Sequence, residues 1–219
     1  MNGTLKDVFG FVSLLQRFQQ IKRAYYATDE DRAQNDAEHS FGLAMLAWYV
    51  VRLLKLEELD LSLILSYALV HDFIELVAGD TDPYNPMKVA TKSVRENEAR
   101  VWLIRELPEF TDLHHLLNEY EDGRTPEAQF VRALDKIIPV IEIAFDEGRS
   151  WKERGQTLEM LRAIKSPKVE HSPIVSGLYH ELVLYLEQRR DELFSQGTQG
   201  TFDFMEGSGI RCIEPHRHT

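Results

Sequence analysis

Apolar residues recur at three- and four-residue intervals along most of this chain, the period that stacks side chains on one face of an α-helix. Leu5, Val8, Phe9, Val12 and Leu15 form a first stripe, which continues through Phe18 and Ile21 and predicts one helix ending at the cations Lys22 and Arg23. After a polar linker from Ala27 to Asn35, Asp36 is placed to cap a second helix whose stripe reads His39, Leu43, Leu46 and Val50. A third helix is predicted from about Asp60 to Ala78, stopped at Gly79. Asp80 to Pro86, with two prolines, marks a loop. Lys92 to Leu107 and Thr111 to Tyr120 read as amphipathic helices, and a long apolar helix follows Gly123–Pro126, with Pro139 expected to kink it. Trp151 to Ile164 and Ile174 to Phe194 are predicted as the last helices, divided by Ser166–Pro167 and Ser172–Pro173. No strand-like alternation lasts beyond a few residues and no repeat recurs at a fixed period, so the pattern predicts an all-α fold.

These stripes are not wholly apolar. His39 heads the second, Ala68, His71 and Glu75 share one face with Ile64, Asp72 lies about 100° further round, and Asp135 shares a face with Val131 and Ile138. An isolated charge in a low-dielectric core is severely unfavourable, so each group must be hydrogen-bonded, paired or bound to a metal. Taken singly, His39 reads as a core histidine with a satisfied hydrogen bond, His71–Asp72 as a structural pair and Asp135 as half of a salt bridge. One divalent cation would satisfy His39, His71, Asp72 and Asp135 together, and imidazole with carboxylate suits Mn, Fe, Co, Ni or Zn. Glu75, one helical turn from His71, could reach a water there without being a ligand, the position of a general acid/base.

Composition narrows the setting. The 219 residues, 43% of them hydrophobic, suffice for a single domain over residues 1–194, with the glycine-rich residues 195–219 expected to be a mobile tail. A formal charge of −11 argues against a nucleic acid polymer or an anionic membrane as partner, and any phosphate ester handled here needs a local cation. The single cysteine, Cys212, excludes an intrachain disulfide framework, and neither a secretory leader nor an apolar run long enough to cross a bilayer is apparent, so a cytoplasmic location is expected. His114, His115, His216 and His218 lack carboxylates on a shared apolar face and read as solvated. Leu182, Leu184 and Leu186 are expected to offer an outer apolar face, which makes a homodimer an expectation.

The ordered segments Asp36-Ala37-Glu38-His39-Ser40, Val70-His71-Asp72-Phe73-Ile74-Glu75 with Gly79-Asp80, and Arg132-Ala133-Leu134-Asp135-Lys136 together resemble the HD-domain metal-dependent phosphohydrolases. The resemblance is closest to the branch containing 5'-deoxynucleotidases that act on deoxyribonucleoside monophosphates. It implies a single-domain HD-type helical bundle with metal ligands His39, His71, Asp72 and Asp135 and with Glu75 assisting the attacking water. It also implies a contact from Asp80 to the water network, sugar or leaving group, and Arg23 as receiver of the substrate phosphate. Without the resemblance, Asp80 reads as a turn residue and Arg23 as a complement to the dipole of the first helix. The Asp82-Pro83-Tyr84 continuation departs from the nucleotidase pattern.

The reading that joins these observations is a divalent-metal phosphomonoesterase acting on nucleoside 5'-monophosphates. A phosphodiesterase, or a hydrolase of another small phosphate ester, uses the same ligands. A regulatory nucleotide-binding module that keeps the ligands without turnover is the alternative of a different class.

Overall fold

The structure is a computed structural model that describes residues 3–195; the expected tail, with Cys212, His216 and His218, lies outside the described residues. Helix α1 (Gly3–Phe18) is followed by a hairpin of β1 (Lys22–Tyr26) and β2 (Ala33–Asn35), then α2 (Asp36–Leu53), α3 (Leu61–Val70), α4 (Glu75–Ala78), α5 (Pro86–Glu106) and α6 (Thr111–Asp122). Helices α7 (Pro126–Phe145), α8 (Arg149–Glu153), α9 (Leu158–Val169), α10 (Pro173–Gln188) and α11 (Arg190–Leu193) complete the order. The all-α architecture expected from the apolar period is thus met, with one small two-stranded sheet added.

That hairpin corrects the expected long first helix. Gln20 N and Ile21 N donate to the carbonyls of Arg17 and Phe18, tight i to i−3 bonds that close the helix, and Tyr25–Tyr26 suits an extended, half-buried backbone. The strands are antiparallel, pairing Lys22 with Asn35 and Tyr26 with Ala33, and the register shift between these pairs marks a bulge beside Arg23. Arg23 therefore sits on a strand, not at a helix end. On α1, Val8, Phe9 and Val12 face solvent, while Phe11, Leu14 and Phe18 pack inward beside Phe73 and Ile74.

Asn35, not Asp36, caps α2. Its Oδ1 accepts from Glu38 N at 3.0 Å while Glu38 Oε2 accepts from Asn35 N at 3.0 Å, a reciprocal capping box that frees Asp36 to turn its carboxylate inward. The helix expected over 60–78 is broken: Asp60 caps α3, which ends at Val70, and His71–Ile74 form tight turns before α4. This 61–78 stretch has a mean hydropathy of 1.6, high enough by length and composition for a membrane span, yet it folds as two short helices and is half buried inside the domain. Further along, α5 begins at Pro86 with Asn85 as its cap, α7 continues through Pro139, α9 contains Pro167 instead of ending at it, and residues 154–157 separate α8 from α9.

The main core joins α2, α3, α7, α9 and α10, with Leu43, Ile64, Leu134, Leu158 and Leu186 fully shielded. Each such aliphatic side chain contributes about 1.5–3 kcal/mol by burial. Leu186 is thus a core residue, which removes it from the expected outer face; Leu184 is exposed and Leu182 packs against the core.

Candidate metal centre

Three elements converge at one point. The capping box starts α2 so that His39, one turn in, is completely buried; the tight turn after α3 presents His71 and Asp72; and the middle of α7 supplies Asp135. One ligand atom from each of the four lies within 4.8 Å of the others. His39 Nε2 is 3.0 Å from Asp135 Oδ1, and His71 Nε2 is 2.9 Å from Asp72 Oδ2 and 3.8 Å from Asp135 Oδ1. The turn explains why Asp72 joins His71. Phe73 N and Glu75 N bond to Val70 O and Asp72 O, so the backbone there winds three residues per turn and no longer follows the 100° step of an α-helix.

The donor set fits a divalent cation. His71 Nδ1 donates to the Ala68 carbonyl at 3.0 Å, so in the neutral ring Nε2 is the nitrogen left bare for a cation. That buried Nε2 has no hydrogen-bond partner although two carboxylates flank it. His39 is held likewise: its Nδ1 is 3.4 Å from the Tyr25 hydroxyl, which bonds Gln34 Oε1 at 2.5 Å and Glu142 Oε2 at 3.2 Å. Outer bonds of this kind orient imidazoles toward a metal. Without a cation the two rings are driven apart in acidity. Burial and then Arg23 pull His39 down to about 4. At His71 burial also works downward, but Asp72 and Asp135 outweigh it and push the ring up to about 10.

Beside these four side chains stands a second acidic group, Asp36, Glu75 and Asp80. Glu75 is buried, and its Oε2 and Asp36 Oδ2 have no hydrogen-bond partner. Burial first, then Asp72, Asp36 and Asp80, raises the Glu75 carboxyl well above the ordinary range. Burial and Asp72 likewise take Asp36 up to about 7 despite Arg23, and burial raises Asp80. Gly79, at φ +69°, makes the turn that brings Asp80 back to this group.

Arg23 reaches the centre from β1. Its Nη1 donates to Asp72 Oδ2 at 2.7 Å and to Asp36 Oδ1 at 3.0 Å, while its buried Nε has no hydrogen-bond partner and the side chain lines the smaller of two chambers beside the centre. Asp36, read from sequence only as a cap, is a member of the site. The Tyr25–Gln34–Glu142 network and Lys136, which pairs with Asp135, also escaped the sequence reading. Lys136 stands directly after Asp135 in the sequence; the network carried no sequence signal, since Glu142 lies more than 100 residues from Tyr25 and Gln34. His114 is outside the centre and bonds the Leu107 carbonyl.

Two adjoining chambers open onto these groups, of about 400 and about 140 Å³. Asp72, Glu75, Asp135 and Lys136 line both, so the acidic centre is their junction.

A family model described as HD domain matches residues 15–175. The chain belongs to the HD domain family. A solved structure from Magnetospirillum magnetotacticum MS-1, described as a predicted metal-dependent phosphohydrolase, superposes with a TM-score of 0.72 at 30% identity, covering 87% of this chain and 98% of that one. The 5'-deoxynucleotidase HDDC2 of Homo sapiens is 26% identical over 188 residues, 84% of this chain and 87% of the relative. The 5'-deoxynucleotidase hdd1 of Schizosaccharomyces pombe is 28% identical over 130 residues, 57% of this chain and 64% of the relative.

Proposed function

We propose that this protein is a divalent-metal-dependent phosphohydrolase that releases phosphate from (deoxy)ribonucleoside 5'-monophosphates. The observation that carries the reading is the buried His39–His71–Asp72–Asp135 set, with its bare His71 Nε2, placed beside the unpartnered Glu75 Oε2 at the junction of two chambers. The names of the HDDC2 and hdd1 relatives support the nucleotide substrate.

His39, His71, Asp72 and Asp135 would hold the cation, which when bound supplies Lewis acidity toward water and phosphoryl oxygens. The protein's own work is proton handling and positioning. Glu75 Oε2 takes a proton from the attacking water as the new P–O bond forms, and returns it to the ester oxygen as the P–O bond to the nucleoside breaks. Its raised affinity for protons, caused by burial and three neighbouring carboxylates, suits both steps. Arg23 fixes Asp72 and Asp36 and adds positive charge against this acidic cluster. Asp80, grouped with Asp36 and Glu75, would contact the water network.

A panel of deoxyribonucleoside and ribonucleoside 5'-monophosphates, incubated with Mn(II)- or Co(II)-loaded protein and scored for free phosphate, tests the reading. Release that stops with a chelator and returns with metal is expected. No release from any member, by protein carrying stoichiometric metal, would sink it.

A further inference from the structure

The smaller chamber contains more cations than its acidic neighbours use. Arg23 is bound to Asp36 and Asp72, Arg154 to Asp82, Lys92 to Glu96 and Lys136 to Asp135. Lys165 and Lys168 also line this chamber, and neither has an ion pair among the described residues. They are three apart on α9, hence on one face of it, and two like charges so placed repel. Lys165 is only 9% exposed, and a buried ammonium without a counter-charge is strongly unfavourable. With 36 acidic against 25 basic residues, this chain has carboxylates in excess, so a shortage of partners does not explain the arrangement.

We infer that Lys165 and Lys168 form the subsite that holds the phosphoryl oxyanion of a phosphate monoester. The inference rests on the phosphohydrolase reading and adds to it the receptor for the anion. At about 140 Å³ the chamber is well below the roughly 300 Å³ at which small-molecule pockets begin, so it holds a phosphoryl group but not a nucleotide. The larger chamber, about 400 Å³, is of the size for the nucleoside part. Lys136 and Lys168 line both chambers, together with Asp72, Glu75 and Asp135. A monoester bound across the junction thus places its phosphorus beside the acidic centre, with the phosphoryl oxygens toward α9 and the leaving group away from it. This adds lysines of α9 to the phosphate contact expected of Arg23, which lines the same chamber.

The test is calorimetric titration of the full-length Mn(II)-loaded protein with inorganic phosphate, combined with KM and kcat for a nucleoside 5'-monophosphate. Lys165→Met is expected to weaken phosphate binding roughly tenfold or more, the scale of one charge-assisted hydrogen bond. It should raise KM more than it lowers kcat, with metal content unchanged and Lys165→Arg recovering part of the affinity. Lys168→Met, on the outer part of α9, is the second variant should Lys165→Met fail to fold, with a loss of about threefold to tenfold expected. Wild-type protein that does not bind phosphate, or unchanged phosphate affinity in the folded variants, overturns the subsite. Phosphate binding that is lost in the variants, in a wild-type protein that hydrolyses no monophosphate, supports the subsite and rejects the hydrolase reading. Hydrolysis with an unchanged KM in both variants does the reverse.

Discussion

His39 Nε2 and Asp135 Oδ1 stand 3.0 Å apart across 96 residues of chain, with both side chains buried. Two groups at that separation share either a proton or a cation. His39 has its other nitrogen turned to Tyr25, His71 in its neutral form has a bare Nε2, and Asp72 completes the cluster, so the geometry fits a shared cation that uses both rings and both carboxylates at once.

Removing a ligand and removing the proton carrier should have different effects. His71→Ala takes away the bare nitrogen and is expected to lose stoichiometric metal. Glu75→Gln keeps the four ligands and should retain metal while turnover falls by roughly 10²–10⁴. Elemental analysis after desalting, beside phosphate release, checks the pair. Equal metal loss in both variants would make Glu75 a ligand.

The outer network should be felt at the metal. Tyr25→Phe deletes the hydroxyl that links His39 to Gln34 and Glu142. Metal affinity is expected to fall about 10–100-fold, the usual scale for a lost orienting bond, with little loss of helix content. Competition with a chromogenic chelator measures it, and an unchanged affinity would show that packing alone orients the ring.

Arg23 is a structural cation as well as a site residue. Arg23→Met leaves Asp36 and Asp72 without their shared partner in a buried position, which should cost about 3–5 kcal/mol of stability. Arg23→Lys should recover part, because a single ammonium, like the single Nη1 here, can serve both carboxylates but on a shorter and more strongly hydrated side chain. Urea denaturation of the metal-free proteins reads the difference; a loss below about 1 kcal/mol would mean that the carboxylates find protons or water instead.

Lys165 predicts a pH dependence of the opposite sense to the usual salt-bridged group. Burial, and then Lys136, lower it from 10.5 to about 7; Lys168 and Arg23 act the same way, and Asp135 opposes them. Between those values the unfolded chain binds the additional proton, so stability due to this group rises with pH from about 7 and levels near 10.5. In phosphate-free buffer Lys165→Met should therefore be more stable than wild type at pH 7 and below, with the gap closing toward pH 10. Thermal unfolding at several pH values tests this, and a gap that widens with pH would contradict it.

The sequence by itself determined the helical class and pointed to the cluster that could hold a metal, because both leave local signatures. A 3.6-residue apolar period requires no knowledge of partners, and an imidazole or carboxylate on an apolar face is an anomaly wherever the face packs; His39, His71 and Asp135 were legible on that ground. Local signals also misled where a competing bond prevailed. The first helix gave way to a strand once β2 offered backbone partners for Lys22–Tyr26, and the capping box moved the cap to Asn35, freeing Asp36 for Arg23. Only the tertiary structure decided that Asp72 turns toward His71, that Arg23 is held by two carboxylates, and that the lysines of α9 face the same chamber as Asp135. Those relations depend on the tight turn after Val70 and on the packing of α7 against α9, and no residue pattern along the chain encodes a distance across it.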